Sequence, residues 1–170
     1  ELQLDLGAIA KGYGVDRVAA LLREHGVENF LVEIGGETLG NGVNASGEPW
    51  RVGVLKPDGS PDLHGVARLT GGNAIATSGD YRNFYRDENG RIQTHIIDPR
   101  TAAPARHSVA SVSVLASDCL TADALATAVS VLGVKKGLEL IDRLPDVEAL
   151  ILTVEGETLR ARLRQQVFLP

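Results

Sequence analysis

Residues 108–133, "SVASVSVLASDCLTADALATAVSVLG", join the clearest strand of this sequence to its clearest helix. As far as Ala116 the apolar residues alternate with small polar ones, which is the period of a β-strand. Beyond it the apolar residues follow helical spacing, with Ser117 or Asp118 as the N-terminal cap and Gly133 as the end. We therefore predict a strand that runs directly into a helix.

The segments on either side of this unit add two hairpins and another helix. A helix at about 135–143 is expected to end near Pro145, and a terminal hairpin is expected around Glu155-Gly156. Upstream, "FYRDENGRIQTHIID" (84–98) carries two β-prone arms around Asn89-Gly90. Because Asn-Gly favours the type I′ turn that matches the twist of paired strands, this is the strongest hairpin signal in the chain.

The first part of the chain predicts a helix and several strands. Helical spacing covers 13–25 before Gly26, and residues 1–6 are expected to be a strand end. A buried strand is predicted in "ENFLVEIGG" (28–36), and further strands are predicted in "PWRVGVLKP", "GVARLTGG" and "NAIATSGD" (49–80). Because strands come in neighbouring pairs with about three unevenly spaced helices, we predict one α+β domain with a largely antiparallel sheet.

Composition limits the classes of function. The chain has 170 residues, 44% apolar and 23% charged, which is typical of a globular domain. Its net charge is −5 without a basic stripe, which argues against nucleic-acid binding. No apolar run approaches the roughly 18 residues of a membrane span. Since methionine is absent and the chain opens inside an apolar-alternating segment, we expect a piece of a longer protein whose signal peptide, if any, lies upstream.

A glycine-rich stretch with one lysine precedes the first predicted helix. It is "DLGAIAKGYGVD" (5–16), and a helix N-terminus offers free N–H groups and a partial positive charge that suit phosphate. The stretch matches neither G-x-G-x-x-G nor G-K-[ST], because Arg17 stands where the third glycine belongs. A plain turn with Lys11 on the surface remains the alternative.

The helix after Asp118 carries a candidate metal site. Asp123 and Thr127 are four residues apart, so their oxygens lie on one helical face. A carboxylate and a hydroxyl suit Mg²⁺, which fills its remaining positions with water and substrate phosphate. The alternative is a solvent-facing Asp123 with Thr127 bonded back to the carbonyl of residue 123.

Two further segments contain candidate site residues. His95 ends a strand arm shortly before the turn at Asp98-Pro99. A neighbouring carboxylate would set the pKa of His95 and suit it as a base, and a structural histidine is the alternative. The turn "ATSGDY" (76–81) would let its backbone, Thr77 or Ser78 approach a ligand, although turn chemistry explains the same residues.

Taken together and in order, these motifs resemble the ApbE family, the FAD:protein FMN transferases once described as thiamine-biosynthesis lipoproteins. The resemblance rests on six segments in unbroken order from Asp5 to about Leu150, namely "DLGAIAKGYGVD", "VEIGGE", "PWRVGV", "ATSGDY", "HIIDPRT" and "ADALATAVSVLG". It implies Mg²⁺-dependent transfer of FMN from FAD to a Thr or Ser hydroxyl of an acceptor flavoprotein, with release of AMP. Because family members are considerably longer, this chain is expected to be their C-terminal half, without the N-terminal half that completes the FAD pocket.

The resemblance also implies roles for particular residues. Asp5 and Lys11 would contact FAD, with the lysine facing the pyrophosphate. The metal would be bound by the Ala8 carbonyl and the side chains of Asp123 and Thr127. His95 would be the base for the acceptor hydroxyl. The remaining residues implied to line the flavin site are Thr77, Ser78, Ile97 and Asp98.

The resemblance leaves some questions open. FAD hydrolysis to FMN and AMP, or flavin binding without catalysis, are the alternative functions. A bacterial periplasmic or envelope location, an upstream lipid anchor and an acceptor of the redox-complex type are expected from the family alone. Family members commonly have "DPRTG" where this chain has Ala102, so the turn beside the flavin is expected to differ.

Overall fold

The computed structural model describes residues 4–79, 84–86, 92–94, 96–105, 108–153, 158–161 and 168–169. Its two helices are α1 (Ala10–Glu24) and α2 (Cys119–Ile141). The strands are β1 (Phe30–Ile34), β2 (Glu37–Asn41), β3 (Trp50–Leu55), β4 (Leu63–Leu69), β5 (Ala74–Gly79), β6 (Phe84–Arg86), β7 (Ile92–Thr94), β8 (Ile97–Asp98), β9 (Ala103–Pro104), β10 (Val109–Ala116), β11 (Glu148–Thr153), β12 (Thr158–Ala161) and β13 (Phe168–Leu169).

An antiparallel six-stranded sheet forms the centre of the fold. Its strand order is β1-β2-β5-β10-β11-β12, and every neighbouring pair is antiparallel. A three-stranded sheet has the order β13-β4-β3, and β6-β7 and β8-β9 form two-stranded ribbons. The predicted hairpin at 84–98 is present as the antiparallel pair β6-β7, while its Asn89-Gly90 turn lies outside the described residues.

Strand β10 is buried along its whole length because the sheet is covered on both faces. On one face Val112 and Val114 pack with the α2 residues Ala122, Ala126 and Val129. On the other face Leu115 packs with Val54 and Leu69 of the three-stranded sheet. The result is a layer of helices, a central sheet and a second sheet, and α2 is placed directly over β5 and β10.

Gly12 allows α1 to lie against the start of α2. The buried residues of α1 are Gly12, Val15 and Ala19, a stripe with helical spacing. A Cβ on Gly12 would lie 2.4 Å from the Cys119 carbonyl oxygen, so only glycine fits without a shift of backbone. Asp16 strengthens the contact, since its carboxylate accepts the Cys119 and Leu120 N–H groups at 2.8 and 2.9 Å.

The α+β fold with a largely antiparallel sheet is confirmed. Asp118 is the N-terminal cap of α2, with its carboxylate accepting the Thr121 N–H. Gly133, the predicted helix end, has φ +76° and divides α2 into two helical segments, the second of which covers most of the predicted 135–143 helix. Such a positive φ is favourable only for glycine.

Three local expectations were wrong. Residues 4–6 form no strand, and residues 1–3 lie outside the description. Helix α1 begins at Ala10 rather than at 13, so Lys11 belongs to its first turn and not to a loop before it. Strand β2 was not predicted, because Gly35-Gly36 was taken as a strand end, whereas it is the turn of the β1-β2 hairpin.

Among the described residues, no helix combines the length and the hydropathy needed to cross a lipid bilayer.

Candidate functional site

A cavity of about 1280 Å³ opens where α1, α2 and the end of β5 meet. Its walls also include the β1-β2 turn, β3 and the loop after residue 96. The lining residues are Asp5, Gly7, Ala8, Lys11, Gly35, Gly36, Gly53, Val54, Leu55, Thr77, Ser78, Gly79, Ile96, Ile97, Asp98, Pro99, Arg100, Asp123, Ala124, Thr127, Ala128, Val131 and Leu132. This volume lies above the few hundred to 1,000 Å³ of most small-molecule sites, so a dinucleotide-sized ligand could enter it.

Asp123 is an acid buried in the wall of this cavity. Its residue is only 3% exposed, which is contrary to the solvent-facing alternative. Burial raises the pKa of its carboxyl above the usual 3.8, and the Gly12 N–H and the charge of Lys11 offset this only in part. A buried carboxylate that keeps a raised pKa is typical of functional sites, because a cation would relieve its desolvation.

The same carboxylate changes how α1 begins. In a regular helix the Gly12 N–H would donate to the carbonyl of Ala8, four residues earlier. Here it donates to Asp123 Oδ2 at 3.0 Å, while the bonds on either side, from Ala10 to the Leu6 carbonyl and from Tyr13 to the Ile9 carbonyl, keep the helical spacing of four residues. The Ala8 carbonyl therefore does not receive the helical bond from Gly12, and Ala8 lines the same cavity as Asp123.

Hydroxyl groups continue the polar wall from α2 to the sheet. Thr127 lies one turn after Asp123, and its hydroxyl is 3.1 Å from the hydroxyl of Ser78 at the end of β5. Thr77 points to the other face of the strand, where its hydroxyl is 2.8 Å from that of Ser113. The bond between Ser78 and Thr127 joins the helix to the sheet at the cavity.

Lys11 forms an ion pair with a buried acid that the sequence analysis did not single out. Its Nζ is 2.5 Å from Glu37 Oε1, and the lysine side chain is 45% exposed while the glutamate is 2% exposed. Burial raises the pKa of Glu37, and the hydrogen bond and charge of Lys11 counteract this without cancelling it. The Lys11 ammonium therefore lies at the cavity wall, and the buried Glu37 carboxylate offsets its charge.

The loop after β8 is fixed by a second ion pair. The Arg100 guanidinium donates from Nε to Asp98 Oδ1 at 3.0 Å and from Nη2 to Oδ2 at 2.8 Å. These bonds lower the pKa of Asp98 to about 2. Two residues later, Ala102 has φ +52°, a left-handed conformation that costs a residue with a side chain more than it costs glycine. The turn in which the family commonly has glycine thus keeps the conformation that glycine prefers.

Comparison with known proteins decides the family. The model of the ApbE family matches residues 1–151. The chain belongs to the ApbE family.

Individual ApbE proteins are similar to this chain in sequence and in structure. The FAD:protein FMN transferase of Vibrio cholerae is 49% identical over 140 residues, which are 81% of this chain and 41% of that protein. The solved flavin transferase ApbE from Vibrio cholerae has a TM-score of 0.83 at 40% identity and covers 95% of this chain. The ApbE protein of Thermotoga maritima has a TM-score of 0.84 at 35% identity. The chain spans about half of each solved ApbE chain, 51% and 52% respectively.

Nine of the ten residues that the ApbE resemblance singled out line this cavity. They are Asp5, Ala8, Lys11, Thr77, Ser78, Ile97, Asp98, Asp123 and Thr127. His95, the candidate base, lies outside the described residues. The geometry brings together segments more than 100 positions apart in the chain, as the bond between Gly12 and Asp123 illustrates.

Glu37 and Gly12 lie within the quoted segments "VEIGGE" and "DLGAIAKGYGVD", but neither was predicted to have a role in the site. Glu37 directly follows the glycine pair at the start of β2, a strand that was not predicted, so its burial had no signal in the sequence. Gly12 is three and seven residues before Val15 and Ala19, so the spacing of small residues indicated a helix contact rather than a loop.

Proposed function

We propose that the protein transfers the FMN part of FAD to a Thr or Ser hydroxyl of an acceptor flavoprotein, in a Mg²⁺-dependent reaction that releases AMP. The observation that carries this proposal is that a buried acid, Asp123, lines one cavity together with Thr127, Ala8 and Lys11. The names of the Vibrio cholerae relative and of its solved counterpart support the same activity.

The donors at the cavity fit a magnesium ion. Asp123 supplies a carboxylate with a raised pKa, Thr127 a hydroxyl and Ala8 a carbonyl that does not receive the helical bond from Gly12. Hard oxygen donors with one carboxylate are the usual protein share of a Mg²⁺ site, since water and phosphate complete the shell. Within the described residues no group of three or more acidic, His or Cys side chains forms an alternative metal cluster. Bound Mg²⁺ would neutralise charge that develops on the pyrophosphate.

The other side chains would bind and orient FAD. Lys11 would donate to the pyrophosphate, and Asp5 and Asp98 would fix the polar parts of the dinucleotide. Ile97, Thr77 and Ser78 would line the flavin end. Because the reacting phosphate is anionic, a positive side chain beside it lowers the repulsion that an incoming oxygen meets.

Transfer requires one bond to form and one to break. The acceptor hydroxyl oxygen attacks the phosphorus of the FMN half, and the P–O bond to the AMP half breaks, so AMP leaves with the bridging oxygen. The hydroxyl proton goes to a base, for which we propose His95 on the sequence evidence. A histidine near neutral pKa suits this step.

The expected setting follows from the family resemblance alone. We infer that the chain is the C-terminal part of an ApbE-type protein. We also infer that this protein acts at the bacterial cell envelope, with an upstream lipid anchor as its membrane contact. The acceptor we expect is a flavoprotein subunit of a redox complex. Fractionation of cells with an antibody to this chain tests the location directly, since a cytosolic signal would contradict it.

Mass spectrometry separates transfer from its alternatives. The full-length protein is incubated with FAD, Mg²⁺ and a candidate acceptor domain, with the acceptor carrying Ala at the target hydroxyl as control. An FMN adduct on the acceptor alone supports transfer. Free FMN and AMP without an adduct would indicate an FAD pyrophosphatase, and intact bound FAD would indicate a binding module.

The metal assignment has its own test. Asp123→Ala should abolish Mg²⁺-dependent turnover while the circular dichroism spectrum stays that of the parent, because a main ligand is lost from an otherwise intact helix. Near-normal activity of this variant at saturating Mg²⁺ would remove Asp123 from the site.

A further inference from the structure

Glu37 is a buried acid for which the proposed chemistry has no role. It begins β2 immediately after the Gly35-Gly36 turn, and its side chain is 2% exposed. Its Oε1 accepts from Lys11, and its buried Oε2 has no hydrogen-bond partner among the described residues. Burying a carboxylate is unfavourable unless the carboxylate is well paired. A buried acid with only one of its two oxygens hydrogen-bonded therefore destabilises the fold, and we ask what function it could serve.

The Lys11 side chain is held from two sides. Its stem passes Gly35 so closely that a Cβ there would lie 3.2 Å from Lys11 Cδ, and Gly35 has φ +62°. Its ammonium meets Glu37, which contributes no surface to the cavity, whereas Lys11 does. A free lysine side chain has many rotamers, so a lysine that is already fixed loses less conformational entropy when it binds a ligand.

The pairing leaves donors for a ligand. An ammonium has three N–H donors, and Glu37 engages one of them. The remaining donors are available on the exposed side, where Gly36 adds a wall without a side chain. Because Glu37 offsets the charge of Lys11, an anion at this wall is recognised by directed hydrogen bonds more than by net charge.

We propose that Glu37 is a positioning residue that fixes the Lys11 ammonium at the cavity wall. The affinity of Lys11 for a pyrophosphate group then depends on the orientation that Glu37 gives to the ammonium. This inference rests on the proposed function, because it takes the pyrophosphate of FAD as the ligand at that wall. It predicts that Glu37 affects ligands that carry the pyrophosphate and leaves riboflavin, which carries none, unaffected.

Two substitutions at Glu37 separate positioning from charge. Glu37→Gln removes the charge at nearly unchanged shape, and Glu37→Asp keeps the charge but shortens its reach by one methylene. If Glu37 positions Lys11, both variants bind FAD about threefold to tenfold more weakly. A mere charge effect would make Glu37→Gln bind the anionic ligand more tightly and leave Glu37→Asp unchanged. Glu28→Gln removes an exposed charge and serves as the matched control.

The measurement is a flavin-fluorescence titration of the full-length protein with FAD and with riboflavin. It covers the parent, the three variants above, Lys11→Ala, and Lys11→Ala combined with Glu37→Gln. We expect the effect of Glu37→Gln on FAD to vanish in the Lys11→Ala background, since there is no ammonium left to orient. Riboflavin affinity should stay within twofold throughout, and urea unfolding of each variant verifies that it is folded.

Each contrary result has a distinct meaning. If Lys11→Ala weakens FAD and riboflavin equally, the pyrophosphate contact of the proposed function is wrong. If Lys11→Ala is selective for FAD while the loss from Glu37→Gln persists in its background, the positioning role of Glu37 is overturned and the proposed function stands. FAD binding by Glu37→Gln or Glu37→Asp at parental strength or tighter overturns it as well.

Discussion

Replacing Gly12 by alanine tests whether the contact between α1 and α2 builds the site. A Cβ at this position would lie 2.4 Å from the Cys119 carbonyl oxygen, 2.7 Å from its carbonyl carbon and 2.8 Å from Leu120 Cα. All three are backbone atoms, so no side chain can turn away. To reach an ordinary contact of about 3.4 Å the two helices must separate by about 1 Å, and such overpacking costs typically 1–3 kcal/mol.

Two further terms set the expected magnitude. Alanine is about 1 kcal/mol more favourable than glycine inside a helix, which acts against the clash. The shift also strains the Gly12 N–H bond to Asp123, and hydrogen bonds to charged groups contribute about 1.5–3 kcal/mol. We therefore expect Gly12→Ala to lower the free energy of unfolding by about 2–4 kcal/mol, the upper range for a single substitution.

Gly14→Ala is the matched control two residues later in the same helix. There a Cβ would meet only Ile34 Cδ1 at 3.2 Å, the end of a side chain that can move. The helix-propensity gain of up to about 1 kcal/mol should then remain, so Gly14→Ala is expected to be neutral or stabilising. Urea unfolding followed by circular dichroism measures both variants. Equal stability of the two would refute the close contact between α1 and α2 at Gly12.

Three other substitutions test separate parts of the site. The pKa of Asp123 is raised above 3.8 in the folded protein, so as pH rises the unfolded chain loses this proton at a lower pH than the folded protein does. Ionisation of Asp123 therefore lowers the free energy of unfolding at higher pH. Asp123→Asn should therefore stabilise the metal-free protein at pH 7, with the gain disappearing below about pH 3.8, and a pH-independent gain would exclude titration as its source. Ala102→Gly should raise the free energy of unfolding by about 0.5–1 kcal/mol, since relief of the left-handed strain exceeds the added freedom of the unfolded chain; a loss measured in the same urea titration would mean that the turn is unstrained. His95→Asn should slow FMN transfer by about 10²–10⁴-fold in the mass-spectrometric assay, with a smaller defect at higher pH, whereas a few-fold defect at every pH would mean a structural histidine.

Local patterns predicted the elements that depend on neighbours in the chain. The strand and helix of 108–133 carry their own periodicity, cap and glycine end, and the structure has them where they were predicted. The spacing of Asp123 and Thr127 likewise predicted that both lie on one face of α2, and in the structure both line one cavity.

Patterns failed where a distant contact overrides local preference. Gly12 and Gly14 were taken as signs of a turn, but Gly12 is needed to let α2 approach, and tertiary packing outweighs helix propensity. The acid that pairs with Lys11 is 26 positions away, so no local spacing could identify it. Strand β2 was missed for a similar reason, since the two glycines before it have positive φ and form a hairpin turn where a break was expected.

The bond from the Gly12 N–H to Asp123 also sets when the site can exist during synthesis. The two residues are 111 positions apart, and the cavity needs both ends of that interval. A ribosome that has released α1 must still deliver β10 and α2 before the carboxylate meets its donor. Any ligand of this cavity therefore selects chains whose folding is already complete, and by mass action its binding stabilises the whole domain rather than one segment. Saturation with such a ligand should therefore slow proteolysis together at all the sites that only unfolding of the whole domain exposes.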